Sequence, residues 1–191
     1  MACLNSWLQS KGITESMVRV AKSSFGGLGL EAKQDLTAGQ VAIDVPGPCI
    51  ISEACWSDGV ETEAACRVQA LVYDAFSWGG GGGLEVGDVL LALRLLHEKG
   101  LGAESDFEPY IASLPRDLSD SPLQWGTEDI NGLLGPMLMG QDALALKRAI
   151  GSSFALLNAS FQMMPSAFPP HIFCSENFEW AVSTIISRSY P

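Results

Sequence analysis

The chain has 191 residues and 20.3 kDa, with 47% hydrophobic and 17% charged residues, a composition that supports a packed core and excludes global disorder. Eleven Lys and Arg against 22 Asp and Glu give a net charge of −11, which disfavours nucleic acid as a direct partner and would attract basic protein segments. No apolar run reaches the length of a membrane span.

The opening "MACLNSWLQSKGI" places Leu4, Trp7 and Leu8 at helical spacing, with Gly12 as a stop, and reads as a structural helix rather than a targeting segment. Met17–Ala21 alternates and is β-branched, as a strand requires, and Leu28, Leu30 and Ala32 repeat that period. "DLTAGQ" is turn chemistry, "VAIDVP" reads as a third strand closed by Pro46, and "CIIS" as a fourth. The pattern then changes. Gly79–Gly83 is a low-complexity loop. "DVLLALRLLHEKG" sets Val89, Leu93 and Leu96 on one helical face, with Gly100 as its end, and "DFEPYIASLP" is a short helical stretch. Thr127 is a candidate N-cap before Glu128 and Asp129. Leu146, Ile150, Phe154, Leu157 and Phe161 repeat at three- and four-residue steps. A last helix starts at a Ser175 cap and groups Phe178, Ala181, Val182 and Ile185. Strands followed by a helical block indicate an α+β fold with a helical insertion.

The five cysteines Cys3, Cys49, Cys55, Cys66 and Cys174 contain no C-x-x-C pair, and His97 and His171 do not complete a zinc set. Reduced thiols in an intracellular compartment are the expectation.

Gly27, Gly29 and Ala32 fit G-x-G-x-x-A, a form of the dinucleotide-binding fingerprint, with Asp44 as a distant acid. That site requires a crossover helix of about a dozen residues after the glycines. The residues between Gly29 and Val41 hold a strand-like alternation and a turn instead. A glycine-permitted turn into a β-hairpin and a close backbone approach to a ligand both remain open.

The order of segments resembles SET-domain lysine methyltransferases, in particular the Rubisco large-subunit methyltransferase class with its helical insertion. The resemblance runs through "SWLQSKGI" and "GGLGLEAKQDLTAGQVAIDVP", then "LALRLLHEKGLGAESDFEPYIASLP", "SPLQWGTEDINGLLG" and "FEWAVSTIISRSY", which together cover most of the chain. It implies a small-stranded SET β-fold opening in residues 1–66, a helical insertion over 67–170 and a second SET segment from 171 to 191. It implies S-adenosylmethionine as cofactor, held by Gly26, Gly27, Leu28, Gly29 and Arg188. Ser187, Arg188 and Tyr190 would lie toward the substrate, a lysine-bearing protein. Arg188 read without the resemblance is a helix C-terminal cation. Neither nucleic acid nor membrane is implied, and cytoplasm, nucleus and plastid all stay open as locations.

The family's Asn-His cofactor segment has no counterpart, since Leu96 precedes His97 and Pro170 precedes His171. No residue is assigned as a catalytic tyrosine. The expectation is therefore the N-terminal part of such an enzyme, inactive as an isolated chain, with a noncatalytic SET-like interaction module as the alternative.

Overall fold

The computed structural model describes residues 2–13, 17–24, 26–52, 63–77 and 83–188. Helix makes up 58% and strand 6%, in agreement with the broad α+β expectation. The chain divides into two compact units, residues 1–51 with 103–115, and residues 52–102 with 116–191.

The first unit opens with helix α1, Ala2–Ser10. It closes as sequence periodicity predicts. Gly12 N–H donates to Gln9 C=O at 3.1 Å and Ile13 N–H to Leu8 C=O at 3.0 Å, the paired bonds of a glycine-terminated helix. Strands β1, Val18–Lys22, and β2, Leu28–Ala32, then pair antiparallel, with Val18 opposite Ala32 and Lys22 opposite Leu28. Helix α4, Glu108–Ile111, belongs to the same unit. It is held to α1 by Trp7 Nε1 donating to Asp106 C=O at 2.6 Å, by Lys11 paired with Asp106 at 3.4 Å, and by Trp7 stacked at a tilt on Phe107.

The third and fourth strands expected from "VAIDVP" and "CIIS" do not form. Residues 41–46 carry no strand pairing, and Gly47–Cys49 is a turn of 3-10 helix. The alternation is present, but a strand is defined by a partner. Here Met17 N–H bonding to Ala42 C=O at 2.9 Å is the tie that the described backbone makes to this segment. Val41 and Val45 consequently stay exposed.

The second unit contains α2 (Glu63–Ser77), α3 (Val86–Leu101), α5 (Thr127–Leu133), α6 (Leu138–Met163) and α7 (Ser175–Arg188). The faces predicted for α3 and α7 are the buried ones: Val89, Leu93 and Leu96, and Phe178, Ala181, Val182 and Ile185. On α6, Ile150, Leu157 and Phe161 are buried and Leu146 and Phe154 half-buried. Phenylalanines knit α6 to the chain that follows it. Phe161 lies 5.1 Å from Phe168 and 5.4 Å from Phe173, and Phe154 lies 5.8 Å from Phe178, centroid to centroid.

Two boundaries differ from expectation. Helix α3 continues through Gly100, which has no positive φ and lies against Ile172, and is capped by Gly102, whose φ of +56° turns the chain out of the helix. The N-cap of α5 is Gly126 rather than Thr127. The Asp129 carboxylate folds back over that glycine, 3.1 Å from where a Cβ would stand. Most of the glycine loop, residues 78–82, lies outside the described residues.

Candidate functional site

The glycine turn joins β1 to β2. Gly26 N–H donates to Ser23 C=O at 3.2 Å, and Ser23 N–H to Gly27 C=O at 3.1 Å. Gly26 and Gly27 have φ of +98° and +69°, a region that side chains with a Cβ occupy only at a cost of about 1–2 kcal/mol. A Cβ on either would meet no atom within 4 Å. These two glycines are thus required by backbone conformation, and the space beside them is open. Gly29 has no positive φ, and a Cβ there would touch Ser23 Cβ at 3.7 Å, an ordinary contact. Leu28 is partly exposed. No helix follows the turn before residue 41, so the dinucleotide-binding geometry is absent from this segment.

A pocket of about 210 Å³ lies between α1 and the hairpin in the same unit. Its lining combines apolar Leu8, Ile13, Val18, Val20, Leu30 and Ile43 with polar Asn5, Gln9, Arg19 and Lys33. Arg19 is engaged by its cross-strand partner Glu31 at 2.9 Å. The four residues Gly26 to Gly29 are not among those lining it.

Ser187 and Arg188 belong to the second unit, at the end of α7. The Ser187 hydroxyl donates to Thr184 C=O at 2.9 Å and accepts from Arg188 Nη1. Arg188 stands in the last turn, where a cation complements the helix dipole. One turn earlier, Ser183 Oγ and Thr184 Oγ1 are buried with no hydrogen-bond partner among the described residues. Tyr190 lies outside the described residues.

A polar cluster that the sequence did not signal joins α3 to α7. Lys99 Nζ donates to Asn177 Oδ1 at 3.0 Å and sits 4.0 Å from the centre of the Trp180 ring. Asn177 in turn donates to the carbonyls of Ile172 at 2.9 Å and His171 at 3.1 Å. Burial pushes the Lys99 pKa down, opposed by the nearby Cys174 and assisted by Arg116. Asn177 and Trp180 are spaced i, i+3 on α7, a hint of a shared face. Their partner, 78 residues away from Asn177, has no local signature.

Burial also lowers the His97 pKa below its ordinary 6.5, with Glu98 opposing and Arg94 assisting. The unfolded chain then binds the His97 proton more readily than the folded one. Stability from this group is full above 6.5 and falls as pH drops from 6.5 through the depressed folded value. Urea midpoints measured between pH 7.5 and 5 should decline, and His97→Gln should flatten the upper part of that decline. An unchanged slope in the variant would refute the assignment to His97.

No family model matches the chain. Its distant relatives are protein methyltransferases. The chloroplastic fructose-bisphosphate aldolase lysine N-methyltransferase of Arabidopsis thaliana is 26% identical over 186 residues, which cover 96% of this chain and 34% of that protein. The actin-histidine N-methyltransferase of Drosophila melanogaster is 26% identical, over 96% of this chain and 33% of its own length. That of Rhinolophus ferrumequinum is 22% identical, over 97% and 29%. The chain thus spans about a third of the length of the curated relatives it matches. Among the described residues no helix is long and apolar enough to cross a membrane.

Proposed function

We propose that the chain is part of an S-adenosylmethionine-dependent protein-lysine methyltransferase of the SET type, similar to the Rubisco large-subunit class. The observation that carries this is the alignment of protein N-methyltransferases along nearly all of the chain. In this reading residues 1–66 and 171–191 belong to the SET β-fold and 67–170 to its helical insertion. Cys49, Cys66 and Cys174 are free thiols, which suits an intracellular location.

The glycine turn supports the cofactor assignment. The backbone at Gly26 and Gly27 is open to close approach, which suits the flat face of a nucleoside. By the family resemblance, Gly26, Gly27, Leu28 and Gly29 would hold it through their backbone, and Arg188 is assigned to it on that resemblance alone. When bound, S-adenosylmethionine supplies an electrophilic methyl group on a sulfonium. The protein's task is to present a neutral acceptor nitrogen, which an apolar channel favours by lowering a lysine pKa. Ser187 and Tyr190 are the residues assigned to the substrate side, with Arg188 shared between cofactor and substrate. One relative modifies lysine and two modify histidine, so the acceptor is part of the proposal.

Calorimetric titration tests the cofactor. The chain should bind S-adenosylmethionine and not NAD, and Gly27→Ala should weaken binding about tenfold, equivalent to about 1.4 kcal/mol. If affinity is unchanged while stability falls by about 1–2 kcal/mol, Gly27 is only a turn residue. Binding of NAD alone would overturn the reading. The isolated chain should transfer no methyl group; for the acceptor, a longer protein that contains this chain should move label from methyl-labelled S-adenosylmethionine to a lysine-bearing protein, recovered as methyllysine on hydrolysis. Methylhistidine would move the acceptor to imidazole. Binding without transfer by that longer protein would favour the noncatalytic module.

A further inference from the structure

The turn between α5 and α6 carries an apolar surface that neither the cofactor nor the acceptor reading uses. Leu133, Met137, Leu138 and Met139 are each 61–73% exposed. They fall within seven consecutive residues, and the backbone beneath them is fixed. Leu134 N–H bonds Ile130 C=O at 2.9 Å, Met137 N–H bonds Leu134 C=O at 3.0 Å, and Gly140 N–H bonds Met137 C=O at 3.0 Å. Gly140 seats directly against Leu134, where a Cβ would come within 3.0 Å. The four side chains are therefore displayed by a closely packed turn. Clustered exposure of this kind marks an interaction surface more than a scattered apolar residue does. Two of the four are methionines, whose unbranched, polarizable side chains adapt to varied partners.

Charge decides what fits. From Asp117 to Leu146 the chain carries Asp117, Asp120, Glu128, Asp129 and Asp142 and no Lys, Arg or His. Asp129 stands four residues before Leu133 on α5, with its carboxylate turned back over Gly126, and Asp142 stands four after Leu138 on α6, so each helix carries an acid on the same face as its apolar residue. Anionic lipid and nucleic acid are repelled by such a surface. A second copy would bring the same carboxylates face to face.

We infer that the α5–α6 turn docks a basic amphipathic protein segment, one that seats apolar side chains on Leu133, Met137, Leu138 and Met139 while its lysines or arginines reach Asp129 and Asp142. Apolar area supplies the hold, and the flanking charges supply orientation and on-rate. This rests on the second unit alone and does not require methyl transfer.

The test uses the 191-residue chain and a fluorescein-labelled 18-residue helical peptide of lysine and leucine with a single apolar face. The peptide should bind, and more weakly as salt rises. A scrambled peptide of the same composition, or one with glutamate for lysine, should bind at least tenfold more weakly. The pair Leu138→Ser and Met139→Ser should also lose about tenfold, whereas Met163→Ser, still more exposed at the far end of α6, should change nothing. Should the serine pair alter helix content by circular dichroism, Asp129→Asn with Asp142→Asn serves instead, expected to lose several-fold affinity at low salt and little at high salt. Equal binding of the scrambled peptide overturns the inference, as does wild-type affinity in every variant. A wild-type dimer that the serine pair dissociates in sedimentation would likewise overturn it, since the surface would then belong to a second copy.

Discussion

Glu98→Ala should destabilise the helical unit by about 3–5 kcal/mol, among the largest single-residue effects expected in this chain. Glu98 and Arg94 lie one turn apart on α3, bonded at 2.5 Å, with side chains only 5% and 8% exposed. Removing the carboxylate takes a charge partner from a guanidinium in a site that water scarcely reaches, and breaking a buried pair from one side is what makes such a change severe. Removing both charges together is a different matter. Arg94→Met with Glu98→Leu should fall within about 1 kcal/mol of the parent or exceed it, because the desolvation cost disappears with the attraction. Urea unfolding followed by circular dichroism reads both. A single variant costing under about 1 kcal/mol, or a double variant as damaged as the single, would show that the pair is not bearing this energy. Helix α3 packs on α7, which carries Ser187 and Arg188, so loss of the pair should also reduce any cofactor binding that depends on Arg188.

Phe178→Ala should cost about 3–5 kcal/mol by the same measurement. Phe178 has no exposed surface and lies against Phe154 of α6. Its removal loses both the transfer energy of the ring and the contacts of the side chains around it, which α6 and α7 cannot fully close up to recover. Leu156→Ala, on the exposed side of α6, is the matching control and should stay within about 0.5 kcal/mol. A Phe178 variant as mild as that control would mean that α7 is not anchored through this ring.

The two changes also separate what was legible from what was not. Phe178 was readable, since a 3.6-residue period identifies a buried face without knowledge of what covers it. The same holds for Val89, Leu93 and Leu96, and for Leu157 and Phe161. The Arg94–Glu98 pair was not, because an i, i+4 ion pair on a helix is usually solvated and only the packing around α3 buries it. The absence of a crossover helix after Gly29 was legible from the strand-like alternation and the turn that fill the residues between Gly29 and Val41. The glycines that take positive φ were not, since the G-x-G spacing drew attention to Gly27 and Gly29, whereas the turn bends at Gly26 and Gly27.

By itself, the sequence determined the helices other than α2, the buried faces of α3 and α7, the hairpin of β1 and β2 and the net charge, because each depends on local periodicity or simple composition. Only the tertiary structure decided that residues 41–46 go unpaired, that Lys99 meets Asn177 and Trp180, and that Leu133 to Met139 stand exposed in an acidic setting. Strand pairing, long-range polar contacts and exposure all depend on which distant segment arrives, and local pattern carries no record of that.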